Sequence, residues 1–150
     1  MEPDPLSYFS QKLRHETDPS DVYAAQSAGD AFVLVDVRST DAWRQGHASG
    51  AVHLPYREIA ARAPRELARD VPVVVYCWSP GCNAGTKAAV EFATLGYRVR
   101  EMIGGYEYWA REGLPVESAE GPLPRIFDPL VMHVRTAGQA DASPASSTSG

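Results

Sequence analysis

The stretch VPVVVYCWSPGCNAGTKAAVEFATLG, residues 71–96, decides the fold. Its first six residues, Val71 to Tyr76, are apolar and rich in β-branched valine, and they predict a buried strand. A glycine-containing loop follows and begins at Cys77. The residues from Asn83 to Leu95 predict a helix with an apolar inner side, and Gly96 is a typical helix stop. The cysteine therefore lies where a strand ends and a loop leads into a helix.

Strand and helix patterns alternate on both sides of this unit. Further strands are predicted at Phe32–Val35, Ala51–Leu54 and Arg98–Ile103. Further helices are predicted at Val22–Ala28, Ser39–Gln45, Ile59–Ala68 and Tyr106–Glu112. Buried strands that alternate with helices predict an α/β fold with a central, mostly parallel sheet and helices on both faces. In such folds ligands bind beyond the carboxyl ends of the strands, where Cys77 is expected.

The size and composition of the chain are those of one ordinary globular domain. It has 150 residues, of which 44% are hydrophobic and 22% are charged. The net charge is −5 and no Lys/Arg cluster is present, so no nucleic-acid partner is expected. No run approaches the roughly 20 apolar residues of a membrane-spanning helix, so no membrane partner is expected. Early acidic residues and the lack of an apolar leader predict a cytoplasmic protein.

Composition also divides the chain into segments. We predict an N-terminal extension at 1–17 and one domain at 18–118. A C-terminal extension at 119–135 contains a Pro-rich connector and the apolar stretch Ile126–Val134, which packs either on the domain or on a second copy in a homodimer. Residues 136–150 are rich in Ala, Ser and Gly, and they predict a disordered tail because they bury too little surface to offset their ordering entropy.

The context of Cys77 is typical of a nucleophile. A helix N-terminus presents free N–H groups and a partial positive charge, and both stabilise anions. Such a position lowers the pKa of a cysteine, and the thiolate is the reactive form. The loop whose backbone would cradle the anion comprises Trp78, Ser79, Pro80, Gly81, Cys82 and Asn83. The competing interpretation is that Cys77 is a small, buried, unreactive residue at a strand end.

Several segments, taken in order along the chain, resemble those of a known family. They are Asp36-Val37-Arg38, Gly46-His47-Ala48-Ser49-Gly50-Ala51-Val52-His53-Leu54-Pro55, Val74-Val75-Tyr76-Cys77, Leu95-Gly96-Tyr97, Gly104-Gly105-Tyr106-Glu107-Tyr108-Trp109 and Gly113-Leu114-Pro115-Val116. Over about residues 18–118 the chain resembles a single-domain rhodanese. The resemblance implies a rhodanese-like fold, with a central, mostly parallel, five-stranded sheet flanked by helices on both faces.

The resemblance also implies a sulfurtransferase. Cys77 would take sulfane sulfur from a donor such as thiosulfate, hold it as a persulfide, and pass it to a thiophilic acceptor, cyanide or a thiol. The reaction needs neither a metal nor an organic cofactor. The loop after Cys77 is a residue or two longer than in common members and resembles a C-W-x-P-x-C-N-x-x-T-K subgroup, so a larger oxyanion would fit.

Cys82 has three interpretations. It is a resolving thiol that attacks a persulfide or sulfenate on Cys77, a second nucleophile near the helix start, or a thiol that only packs the loop. Zinc is not expected, because a cysteine pair with four intervening residues lacks a nearby second pair of ligands.

Other polar residues are expected to support the scaffold or the charge balance. Asp36 caps or pairs near its strand end, and Arg38 bonds Asp41 or a neighbouring carbonyl. His47 is expected to form a structural hydrogen bond, since a thiolate at a helix N-terminus needs no general base. Lys87, on the helix after the loop, either adds positive potential near the anion or is simply solvated.

Two other classes of function fit the same scaffold. The first is a phosphatase or arsenate reductase, with Cys82 as the resolving thiol. The phosphatase signature H-C-x5-R is missing, because Tyr76 precedes the cysteine and Asn83 stands at the arginine position. The second is a non-catalytic module that binds a partner, which retention of Cys77 disfavours.

Overall fold

A computed structural model describes residues 4–133 of the chain. The helices are α1 Pro5–His15, α2 Pro19–Ala28, α3 Thr40–Gln45, α4 Ile59–Glu66, α5 Ala84–Thr94 and α6 Gly105–Arg111. The strands are β1 Glu16–Thr17, β2 Val33–Asp36, β3 His47–Ala48, β4 Val52–His53, β5 Val73–Tyr76, β6 Val99–Met102, β7 Val116–Ser118 and β8 Gly121–Pro122. A short 3-10 turn, Tyr56–Glu58, precedes α4. All four strands and all five helices predicted from the sequence are present, with boundaries that differ by a few residues.

The central sheet has five strands in the order β1-β6-β5-β2-β4. Each neighbouring pair is parallel. Strand β5 lies in the middle and is buried at all four positions, as its run of valines predicts. The predicted α/β fold with a parallel five-stranded sheet is confirmed.

Helices cover both faces of this sheet. One core cluster joins β5 to α4 and α5, through Ile59 and Phe92 among others. The other cluster lies on the opposite face and includes Val22 of α2 and Trp109 of α6. Since all the strands are parallel, their carboxyl ends meet at one edge, and the loop after β5 emerges there.

The N-terminal segment contains structure that the hydrophobic pattern did not predict. Asp4 caps α1 by accepting a hydrogen bond from the Ser7 N–H at 2.8 Å. The helix has no buried residue, so it lacks the core-facing stripe on which such a prediction depends. Strand β1 then adds to the sheet edge by pairing with β6. The sheet thus includes Glu16 and Thr17, two residues that precede the predicted domain start at residue 18.

The segment after α6 packs back on the domain. Strands β3, β7 and β8 form a small antiparallel sheet. Asp128 pairs with Arg111 of α6 at 2.8 Å, and Phe127 forms a bridge with Glu112. Ile126 and Leu130 remain 70% and 82% exposed, so this apolar stretch covers the domain only in part. The predicted disordered tail, residues 136–150, lies outside the described residues, and no helix within 4–133 is long and apolar enough to cross a bilayer.

Candidate active site

Cys77 lies at the carboxyl end of β5, directly after its last residue. Its side chain is only 7% exposed and belongs to the core cluster under α5. The backbone behind it is fixed by α6, because the N–H groups of Tyr106 and Glu107 donate to the carbonyls of Cys77 and Trp78, both at 2.8 Å. The start of the loop is therefore anchored by α6, which lies on the face of the sheet opposite to α5.

Gly105 permits this close approach of α6. It has φ +64°, and a Cβ at this position would lie 2.6 Å from the carbonyl oxygen of Cys77. Only glycine fits both the left-handed backbone and the contact. From the sequence, Gly105 is expected only in the turn that leads into the helix at Tyr106–Glu112 and in a family-like segment. The contact with Cys77 is not predicted, because it joins residues 28 positions apart in the chain.

A tight turn folds the loop back over Cys77. The Cys82 N–H donates to the Ser79 carbonyl at 3.0 Å, and the Gly81 N–H donates to Ser79 Oγ at 3.2 Å. The turn brings Cys82 Sγ to 2.6 Å from Cys77 Sγ, and both cysteines are free thiols. The two sulfur atoms form one functional unit, which is the dominant feature of the site.

The loop amides are arranged differently from the cradle that the sequence predicts. The Trp78 N–H contacts both sulfurs, whereas the Ala84 N–H, at the start of α5, is directed to Cys82. Gly81 and Cys82 use their N–H groups on Ser79. Cys82 thus receives two backbone donors, of which one lies at the helix start, and Cys77 receives one.

The charge distribution in the pair follows from these contacts. Burial, together with the hydrogen bond to Cys82, raises the pKa of Cys77 to about 12. This is opposite to the lowered pKa expected from the sequence. For Cys82, partial burial acts to raise the pKa, but hydrogen bonds from Cys77 and from the backbone outweigh it and lower the pKa. Cys82 is therefore the more acidic thiol of the pair, and Cys77 is the less acidic one.

The remaining loop residues form the outer wall. Trp78 is 41% exposed, while Pro80, Gly81 and Asn83 are exposed and Ser79 is half-buried. Asn83 precedes α5 and makes no side-chain capping bond. The apex of the loop is thus open to solvent above the sulfur pair.

Asp36 and Arg38 form a buried network beside the loop. Asp36 accepts hydrogen bonds from the Arg38 guanidinium and from the Tyr76 hydroxyl, at 2.7 and 2.6 Å. Arg38 also donates to the carbonyl of Gly46 at 2.6 Å, so its partners are Asp36 and a nearby carbonyl rather than Asp41. The side chains of Asp36 and Arg38 are thus fully buried and paired with each other.

Arg38 also contacts the loop, which sequence reasoning did not anticipate. Its guanidinium carbon lies 4.4 Å from the centroid of the Trp78 ring and 4.3 Å from that of Tyr106. A buried cation between two aromatic rings holds both by cation–π attraction. Arg38 therefore fixes the side chain next to Cys77 from the core side.

The other two predicted residues, His47 and Lys87, lie in different surroundings, one buried and one exposed. The His47 Nδ1–H donates to the carbonyl of Trp43 at 2.9 Å, and Nε2 lies 3.7 Å from a carboxylate oxygen of Glu117. Its ring stacks on Trp43, with centroids 3.3 Å apart. Lys87 is exposed on α5 and directs its backbone N–H to the Asn83 carbonyl.

Glu101 is a further charged group at the site, and no sequence pattern marked it. Its carboxylate accepts a hydrogen bond from the Thr86 hydroxyl at 2.9 Å. A Cβ added to Gly85 would lie 2.9 Å from this carboxylate and 3.7 Å from the Cys77 Cβ, so the acid stands beside the sulfur pair. Its negative charge acts to raise the pKa of Cys82. Among residues 4–133, no three His, Cys, Asp or Glu side chains are grouped to hold a metal ion.

Comparison with known proteins identifies the family. Residues 18–112 match the family model described as Rhodanese-like domain. The chain belongs to the rhodanese-like family. The structure is similar to the crystal structure of the BH2092 protein from Bacillus halodurans, with a TM-score of 0.73 and 32% identity over 89% of this chain and 93% of that one.

Several relatives of this rhodanese-like protein are sulfurtransferases by name. The thiosulfate sulfurtransferase GlpE of Actinobacillus succinogenes is 38% identical over 93 residues, which cover 61% of this chain and 81% of the relative. GlpE of Pseudomonas entomophila is 33% identical over 104 residues, which cover 69% and 90%. An HTH-type transcriptional regulator of Mycobacterium tuberculosis is 34% identical over 84 residues, or 56% of this chain, and the chain spans only 37% of that regulator. Enzymes and a regulator thus share this domain.

Proposed function

We propose that this rhodanese-like protein is a sulfurtransferase that moves sulfane sulfur from an anionic donor such as thiosulfate to a thiophilic acceptor through a Cys77 persulfide. The observation that carries the proposal is the position of Cys77 at the carboxyl end of the central strand, between the anchored backbone of α6 and the start of α5. The names of the relatives that match most of their own length favour thiosulfate as the donor.

The reaction has two half-reactions. The Cys77 thiolate attacks the sulfane sulfur of thiosulfate, the sulfur–sulfur bond of the donor breaks, and sulfite leaves with the electron pair. The acceptor then attacks the outer sulfur of the persulfide, and Cys77 leaves as a thiolate. With cyanide the product is thiocyanate, and with a thiol it is a new persulfide. No metal or organic cofactor takes part in this scheme.

In this scheme Cys82 acts as the base that deprotonates Cys77, whose pKa is raised. Burial holds the proton on Cys77, so Cys77 does not ionise readily by itself. The Cys82 thiolate lies 2.6 Å away and can accept that proton directly. The transfer produces the Cys77 thiolate at the moment when the donor arrives, while a single negative charge is kept within the pair.

The alternative oxyanion chemistry is less well supported. A phosphatase of this kind needs an arginine to clamp the oxyanion. Arg38 is engaged by Asp36 and the Gly46 carbonyl, and Asn83 carries no charge. Arsenate reduction requires a cysteine pair, which this chain has, so arsenate turnover belongs among the assays. Because one relative is a transcriptional regulator by name, a non-catalytic module that binds a partner is the second alternative.

Thiocyanate formation from thiosulfate and cyanide tests the proposal. We expect the wild-type protein to turn over and Cys77→Ser to be inactive, since serine cannot form a persulfide. Phenyl phosphate and arsenate serve as competing substrates in parallel. If Cys77→Ser forms thiocyanate at the wild-type rate, or if arsenate or phosphate ester is turned over in place of thiosulfate, the proposal is wrong.

A further inference from the structure

The sulfur pair is built for bond formation as well as for proton transfer. The two Sγ atoms are 2.6 Å apart, whereas a disulfide bond is about 2.0 Å long. The turn at Ser79 holds them in this arrangement, so little chain entropy remains to be lost on closing the ring. Formation of a disulfide would need one Sγ atom to move by well under an ångström.

The position of Cys82 also decides which sulfur of a persulfide it can attack. The outer sulfur of a Cys77 persulfide cannot occupy the place that Cys82 Sγ already fills, so it must extend to another side of Cys77 Sγ. Cys82 then faces the inner sulfur, with the outer sulfur as the leaving group. Attack on a disulfide-like bond proceeds in this manner, with a thiolate displacing the far sulfur.

We propose that Cys82 resolves the Cys77 persulfide within the protein and releases the transferred sulfur as hydrosulfide. This inference rests on the proposed function, because it begins from the persulfide. A Cys82–Cys77 sulfur bond forms and the bond between the inner and outer sulfur breaks. The outer sulfur leaves with that electron pair and takes the Cys82 proton as HS⁻. The two cysteine sulfurs are oxidised to a disulfide, and the sulfane sulfur is reduced to sulfide.

An external dithiol completes the cycle. Cys82 is half-buried and the apex of the loop, at Pro80 and Gly81, is exposed, so a dithiol can reach the disulfide. Its two thiols reduce the disulfide by exchange and are oxidised to a disulfide in turn. The net reaction converts thiosulfate and a dithiol into sulfite, sulfide and an oxidised dithiol. A dithiol reductant is therefore a further substrate class for the second half-reaction, which is used when no external acceptor takes the sulfur first.

The loop contacts favour Cys82 as the attacking group. The N–H groups of Trp78 and Ala84 stabilise its thiolate, which forms again as the proton that it accepted from Cys77 passes to the leaving sulfur. Cys77 is deeply buried, so an external acceptor has a longer path to the persulfide than Cys82 has. An intramolecular thiolate competes at a high effective concentration against any dissolved thiol.

A single-turnover experiment separates this inference from the proposed function. The full-length wild type, Cys82→Ser and Cys77→Ser are treated with thiosulfate without any thiol, and both free hydrosulfide and intact protein mass are measured. We expect one equivalent of hydrosulfide from the wild type, with a mass two hydrogens lower, which a dithiol reverses. Cys82→Ser is loaded at a higher pH, because Cys77 must ionise there without Cys82 as proton acceptor, and it is expected to gain one sulfur atom and to release none. Cys77→Ser is expected to do neither.

Each outcome has a distinct meaning. If the wild type retains the added sulfur and releases no hydrosulfide, the inference is overturned while the proposed function stands. If Cys82→Ser releases as much hydrosulfide as the wild type, Cys82 is not the resolving group. If neither the wild type nor Cys82→Ser gains or releases sulfur, the proposed function itself fails. Cys82→Ala, with folding checked by circular dichroism, repeats the comparison without a hydroxyl at the site.

Discussion

Replacing Gly105 with alanine would show how strongly the catalytic loop depends on its contact with α6. The added Cβ would lie 2.6 Å from the Cys77 carbonyl oxygen and 2.8 Å from the Trp78 carbonyl carbon. Both are backbone atoms, and both carbonyls already accept hydrogen bonds from α6. Neither can move aside without weakening the anchor, so the clash must displace α6 or the start of the loop.

The size of the effect is the sum of two costs. A side chain in the left-handed region, at φ +64°, costs about 1–2 kcal/mol. Overpacking against fixed atoms costs about 1–3 kcal/mol more. Gly105→Ala is therefore expected to lower the free energy of unfolding by roughly 2–5 kcal/mol in all. Gly29→Ala is the matched control, because Gly29 has φ +77° but no atom within 4 Å of the added Cβ. Gly29→Ala should be destabilised only by the left-handed backbone and not by overpacking.

Urea denaturation of both variants measures the difference in unfolding free energy. The rate at which thiosulfate loads sulfur onto the folded fraction measures the position of the loop. We expect Gly105→Ala to be less stable than Gly29→Ala and slower to load, whereas Gly29→Ala should load at the wild-type rate. Equal stability of the two variants, together with equal loading rates, would refute the idea that α6 positions Cys77.

Three further predictions concern charge at the site. Sulfur loading should rise with pH through the lowered pKa of Cys82, because the pair must lose one proton first. In Cys82→Ser the rise should move to higher pH, since burial still raises the pKa of Cys77. Tyr76→Phe should lower the free energy of unfolding by about 1–3 kcal/mol in urea, because Asp36 loses a buried hydrogen-bond donor. Glu101→Gln should speed alkylation by anionic iodoacetate more than by neutral iodoacetamide, because a negative charge near the thiolate is removed.

Controls make these three predictions decisive. An unchanged pH profile in Cys82→Ser would mean that the two sulfurs ionise independently. Tyr8→Phe removes a hydroxyl from a side chain that is 52% exposed and should leave stability unchanged, so a similar loss in both tyrosine variants would argue against the buried network. If Glu101→Gln speeds alkylation by both reagents equally, the Glu101 carboxylate is too far from the sulfur pair to repel an anionic reagent there.

Much of the fold could be predicted because burial leaves a direct pattern in the sequence. The valines of β5 and the small and apolar residues facing inward on α5 gave both elements and their order. Helix α1 and strand β1 left no such pattern, since α1 buries no residue and β1 is two residues long. Strand β1 is placed by pairing with β6, and the Leu13 carbonyl of α1 accepts a hydrogen bond from Arg100 of β6. No local window of sequence contains these contacts.

The site was predictable in location but not in electrostatics. A cysteine between a strand and a helix start is visible in the sequence, so the position of Cys77 could be expected. The direction of its pKa shift depends first on burial and then on a turn that brings Cys82 Sγ to 2.6 Å, and neither is visible in the sequence. Glu101 reaches the site from β6 and Arg38 from the loop that follows β2, and only the sheet register brings them there.

Locating the transferred sulfur within the protein tests the central claim most directly. Cys82→Ser is loaded with thiosulfate whose sulfane sulfur carries a heavy isotope, and peptides are then sequenced by mass spectrometry without reduction. The account predicts one labelled sulfur atom, attached to Cys77. Label on no peptide, or label on any residue other than Cys77, would contradict it.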